Sequence, residues 1–156
     1  MKPTYEHIVK WMKDYFATYN EYAQSAATVH RMDEYFAPDL TFVPYMYVFG
    51  GPDHPITGRE DFYRLLTGHP NDYEQFEVLD VFVDEKRMVA VAYLLATILD
   101  AKTDEVLVRK HYLPQYELAL DEKSALKIKT VRFFWEASPP EVDAHYAIPK
   151  DFGGTK

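Results

Sequence analysis

Apolar side chains recur at Ile8, Met12, Tyr15, Tyr19 and Tyr22, with Phe16 and Ala23 beside them. Steps of four and three residues put these on one face of a helix, and Thr4 stands where an N-cap is needed. The opposite positions, Lys10, Lys13, Asp14, Asn20, Glu21 and Gln24, read as a solvated face. A second, shorter helix is expected from Thr28, burying Val29, Met32 and Phe36. Pro38 should stop it, because proline disfavours helix in the residue before it. From Leu40 the pattern becomes that of a buried strand, through Phe42, Val43, Tyr45, Tyr47, Val48 and Phe49 to the turn at Gly50-Gly51-Pro52. Thr57 and Glu60 have the spacing of a capping box. Phe62, Leu65 and Leu66 then give a third helix its apolar stripe, ended by Gly68 and Pro70.

From Tyr73 to Glu136 no helical period remains, and polar turns near Asp84, Asp100 and Asp121 separate four long apolar segments. These predict an antiparallel meander. Strands of this length must twist and coil, and Pro114, which cannot donate to a ladder, predicts a bulge or an edge in the third of them. Met88 to Leu99 is apolar on both faces, so helices should cover one side and a second subunit the other. The fold class is therefore α+β, with three helices packed on a strongly curved, mainly antiparallel sheet. One domain over 1–137 and a short appendage over 138–156 are expected.

Composition adds an excess of aromatics: 13 Tyr, 10 Phe and 2 Trp make 16% of the 156 residues, enough to wall a cavity as well as fill a core. Acidic residues number 25 against 17 basic, a net charge of -8 that repels a nucleic-acid backbone. With no cysteine, disulfide scaffolds, thiolate metal sites and a thiol nucleophile are all excluded. The six histidines show no metal-ligand spacing, and no phosphate-binding glycine loop or serine elbow occurs. No metal and no cofactor is expected. Met1 to Glu6 lacks the apolar stretch of a signal peptide and no window is long enough to span a membrane. A soluble cytoplasmic protein with no membrane partner is expected.

Tyr35-Phe36-Ala37-Pro38-Asp39 closing the second helix, Gly58-Arg59-Glu60 opening the third, the Asp80 to Val91 hairpin and the last strand from Ile128 to Trp135 carry a resemblance. In this order of elements the chain resembles the nuclear transport factor 2-like superfamily, which includes SnoaL-like polyketide cyclases and ketosteroid isomerase. The resemblance implies a cone with an internal pocket between helices and sheet, often in a homodimer. It implies a fold more directly than a reaction, since isomerases, cyclases, dehydratases and transport factors share it.

Chemistry is sought first in Arg109-Lys110-His111-Tyr112-Leu113-Pro114-Gln115. Without a bulge, Arg109, His111 and Gln115 share one strand face. His111 can take and return a proton and Arg109 can hold an enolate or carboxylate; a solvated strand end is the plain alternative. SnoaL-like cyclases carry an acidic residue on this sheet, which the resemblance places at Glu136 unless Trp135 takes that position. Arg132 and Glu136 could equally be surface partners. Related dehydrating enzymes carry an acid near the second helix, here Asp33, facing either His111 or solvent. His111, Glu136 and Asp33 are thus the candidate catalytic residues. Tyr15, Tyr19, Tyr45, Tyr47, His69, Arg109, Arg132 and Trp135 are the candidate pocket.

Two functions fit this reading. One is a SnoaL-like enzyme performing cofactor-independent acid/base chemistry, as an isomerase, dehydratase or cyclase, on a small apolar or aromatic molecule. The other is a non-catalytic ligand-binding or protein-interaction module of the same shape.

Overall fold

The computed structural model describes residues 2–46 and 49–137. Helix α1 (Tyr5–Tyr22) is capped as its sequence requires: the Thr4 hydroxyl oxygen accepts the His7 amide at 3.2 Å. It buries Ile8, Met12, Tyr15, Phe16 and Tyr19. The second helix is a 3-10 helix, Val29–Glu34, shorter than the sequence suggests. Phe36 leaves it because the next segment is already a strand, β1 (Phe36–Pro44), whose parallel pairing with β7 (Leu126–Phe133) begins at Phe36. Pro38 sits in the irregular stretch of that ladder between Phe36 and Thr41, where its missing N–H costs no bond.

Strand β2 (Ile56–Thr57) pairs with β1, Thr57 opposite Thr41, and α2 (Arg59–Thr67) follows. Thr57 is committed to the sheet, so the expected capping box does not form; the N-cap is Gly58, at φ +92°, a conformation open to glycine. The meander comprises β3 (Asp72–Asp84), β4 (Val89–Asp100), β5 (Val106–Tyr112), β6 (Gln115–Leu120) and β7. The sheet has seven strands in the order β2-β1-β7-β6-β4-β3, with β5 also on β4. All pairs are antiparallel except β1 with β7.

Leu113 and Pro114 split the expected third meander strand in two. β6 lies beside the start of β4, at Val89 to Val91, and β5 beside its end, from Leu94 to Leu99. The diverging halves open the sheet into a cone, and an antiparallel bridge from Trp135 to Tyr112 joins the segment after β7 to the end of β5. A bulge between Val78 and Asp80 bends β3 in the same sense. Helix α1 lies inside the curve, where the Tyr15 ring meets Phe16, Tyr35, Phe36 and Tyr116 edge-on.

Asn20 and Gln24 are not the solvated residues their positions suggest. β3 is a sheet edge, and the Asn20 amide exchanges two 2.8 Å hydrogen bonds with the Phe76 backbone. Gln24 does the same for Glu74, at 2.6 and 2.7 Å. Side chains of α1 and of the residues just after it thus stand in for a missing strand and cover an edge that would otherwise template aggregation.

The appendage at 138–156 lies outside the described residues. Among the described residues no helix is long and apolar enough to cross a membrane.

Candidate active site

Between α1, α2 and the inner sheet face lies a cavity of about 60 Å3. Phe42, Phe49, Phe62, Phe76, Phe133 and Trp135 make most of its wall. Its polar groups are the phenols of Tyr15, Tyr19, Tyr112 and Tyr116, with Gln24, His69, Asp72 and Glu74.

The polar contacts converge on Glu74. Strand alternation puts it on the inner face between Asp72 and Phe76, both buried. The Gln24 bonds fix its backbone. Its carboxylate accepts the Tyr112 hydroxyl at 2.7 Å on Oε2 and the Tyr19 hydroxyl at 3.4 Å on Oε1. Burial pushes the Glu74 pKa up to about 7, against the pull of the Tyr112 hydrogen bond and the Lys110 charge. The surrounding phenols of Tyr15, Tyr19 and Tyr116 are held above their ordinary range, chiefly by burial, so they remain donors. A carboxyl that changes charge near neutrality, ringed by fixed donors in an apolar wall, can accept a proton and give it back.

Of the residues singled out in the sequence, Tyr15, Tyr19, His69 and Trp135 line this cavity. Tyr47 lies outside the described residues. Tyr45 does not line the cavity: it is exposed and stacks on Phe134 at 4.3 Å. Asp33 is not at the cavity either. It joins the 3-10 helix to α2, accepting the Tyr63 hydroxyl at 2.7 Å, with Arg59 Nε at 3.3 Å. His30, Asp33 and Glu60 bring metal-ligand atoms within 4.8 Å of one another. The Arg59 guanidinium already meets that charge, at 3.3 Å from Asp33 and 3.9 Å from Glu60.

The largest correction concerns β5. Its inner face carries Lys110 and Tyr112, both buried, so Arg109 and His111, one residue out of phase, point away from the cavity. His111 does meet Glu136: one Glu136 oxygen accepts the His111 amide at 3.0 Å and lies 3.1 Å from its Nδ1. These bonds hold the Glu136 carboxyl below its usual range. The pair lies in an open groove on the outer face with Tyr93, Leu113 and Phe134. Arg132 also faces outward, donating to Glu117 at 2.7 Å and Gln115 at 3.3 Å, while its neighbours Val131 and Phe133 line the cavity. The supposed anion holders are therefore outside, and His111→Ala should leave any cavity reaction rate unchanged in a steady-state assay; a large loss would return the site to the outer groove.

No protein-family model and no curated protein matches the chain by sequence. Its structure is similar to that of BvnE pinacolase from Penicillium brevicompactum, with a TM-score of 0.59 and 17% identity over 85% of this chain and 84% of that one. An NTF2-like protein from Anabaena variabilis gives 0.62 and 15%, covering 88% and 96%. Nuclear transport factor 2 from Cryptosporidium parvum gives 0.60 and 11%, covering 87% and 98%. The curled mixed sheet, the helices inside its curve and these likenesses agree: the chain has the nuclear transport factor 2-like fold.

Proposed function

We propose that the protein is a cofactor-independent acid/base enzyme, of the isomerase, dehydratase or cyclase kind, acting on a compact apolar or aromatic molecule in the cone. The observation that carries this reading is Glu74, a carboxyl pushed up to about 7 and held by phenols in an otherwise aromatic cavity. Ionised, Glu74 takes a proton from the substrate; protonated, it returns that proton to another atom. The Tyr112 hydroxyl steadies the charged form, while Tyr15, whose oxygen accepts the Tyr116 hydroxyl, supplies its own O–H toward an oxygen on which negative charge develops. That the pinacolase shares the fold supports a catalytic use of the cone.

The cavity volume of about 60 Å3 is small beside the roughly 300–1,000 Å3 of common ligand pockets. The substrate is compact, or it turns aromatic side chains aside on entry. Incubation with a panel of small cyclic and aryl ketones in heavy water, followed by proton NMR, tests the proposal. Saturable exchange at the carbon beside the carbonyl supports it. Ketones that bind without exchange would assign the cone to ligand binding alone.

The same reading includes a homodimer through the outer sheet face. Phe82 is 54% exposed and Leu113 49%, and Leu79, Tyr93 and Phe134 are exposed beside them. Among the described residues nothing covers this large apolar surface. Light scattering at micromolar concentration should give about twice the chain mass of 18.3 kDa; a monomer would refute the dimer.

A further inference from the structure

Lys110 is 2% exposed, a burial lysine seldom accepts. It sits on the inner face of β5 opposite Ala96 of β4, whose small side chain leaves room for it. Its Nζ lies over the Trp135 ring, 3.5 Å from the centroid. The Trp135 ring packs on Tyr112 at 5.4 Å, and the Tyr112 hydroxyl reaches Glu74 at 2.7 Å. Ammonium, indole, phenol and carboxylate thus form one continuous array across the cavity wall.

Taking an ammonium out of water is costly unless opposite charge or a π-face compensates. An apolar residue at this place would satisfy packing without that cost. The Trp135 face supplies the second of these, and the ammonium charge acts on the Glu74 carboxylate on which the proposed chemistry depends.

Resting on the reading of Glu74 as the proton-transfer group, we propose that Lys110 is a positioning residue: from its seat on Trp135 it holds Glu74 in reach of its charged form at neutral pH and fixes the indole wall. The other groups facing Glu74 do not favour that charge in the same way. Tyr15 and Tyr19 of α1 and Tyr116 of β6 are neutral phenols, Asp72 on the same strand is a like charge, and His69 after α2 lines the same cavity. Among them Tyr112 and Tyr19 stabilise the carboxylate by hydrogen bonds, and Lys110 does so by its charge.

The test is an isotope-edited NMR titration of the Glu74 carboxyl, its signal assigned by its loss in Glu74→Gln. Lys110→Met should raise the Glu74 midpoint by about one pH unit or more, a tenfold change in proton affinity. Lys110→Arg should largely restore it. An unchanged midpoint in folded Lys110→Met would overturn the proposal. A second measurement needs no variant at Lys110: in the wild-type protein the Lys110 Cε signal should move through the Glu74 midpoint, and a signal that stays flat across it overturns the proposal equally. Both read a titration rather than turnover. A midpoint set by Lys110 in a protein without exchange activity would keep this role and remove only the catalytic reading.

Discussion

Replacing Glu74 by glutamine is expected to lower proton exchange or turnover by about 100- to 10,000-fold, the range that a positioned general acid/base supplies. Glutamine has the same shape, and its amide oxygen can still accept the Tyr112 hydroxyl that Glu74 accepts at 2.7 Å. What it cannot do is take a proton from carbon. The loss should therefore fall on kcat, with ligand affinity kept, because the aromatic wall of Phe42, Phe62, Phe76 and Trp135 is untouched. Glu74→Asp should fall between the two: the group is retained but drawn back by one methylene, away from the geometry that Gln24 and Tyr112 enforce. Steady-state kinetics on any ketone that exchanges will decide, and Glu74→Gln activity within about threefold of wild type would remove Glu74 from the chemistry.

Why the sequence points at His111 and the structure at Glu74 is a matter of strand phase. In Val106 to Leu113 apolar residues fall on both alternations: Val106, Val108 and Tyr112 on one, Leu107 and Leu113 on the other. Local pattern cannot choose between them. Register does: Tyr112, Lys110 and Val108 stand opposite Leu94, Ala96 and Ile98, which are fully buried. One signal was present in the chain, since Ala90, Ala92 and Ala96 share a phase of β4, and small residues mark the side where packing is tightest. Followed through the sheet, that phase leads to Lys110 and Tyr112, and through β3 to Phe76 and Glu74.

Helix α1, with its cap and its long period, was legible because every signal for it is local. The 3-10 helix and Thr57 depart from the local pattern because long-range pairing outweighs local preference. Phe36 was drawn into β1 opposite Ile128, and Thr57 into β2 opposite Thr41. The amides of Asn20 and Gln24 depart from it for a related reason: an edge strand with free backbone groups converts polar positions on and after a helix into an interface, and which strand forms the edge is a property of the assembled sheet.

Glu74 should also leave a signature in stability that needs no substrate. Its pKa is about 7 in the folded protein against an ordinary 4.5. Below pH 4.5 the carboxyl is neutral folded or unfolded, and its burial carries no charge penalty. As pH rises from 4.5 to 7 the unfolded chain ionises first, so the folded state holds more protons and loses stability relative to it. The loss accumulates across that window to about 3 kcal/mol and is constant above it. Other carboxylates act in the opposite sense at lower pH: Asp100, Asp121 and Glu136 are held below their ordinary range by backbone hydrogen bonds, and their contribution disappears as they protonate. The whole-protein profile mixes these, whereas the difference between Glu74→Gln and wild type isolates one group. Urea unfolding at several pH values should show the variant gaining on wild type by about 3 kcal/mol between pH 4.5 and 8, with most of the change between 5 and 7. The residue proposed to perform the reaction would then be one that the fold tolerates at a cost, as expected where charge is kept out of water for catalysis. A difference independent of pH would mean that Glu74 titrates as an ordinary surface carboxyl, and the cavity would have no group poised for proton transfer near neutrality.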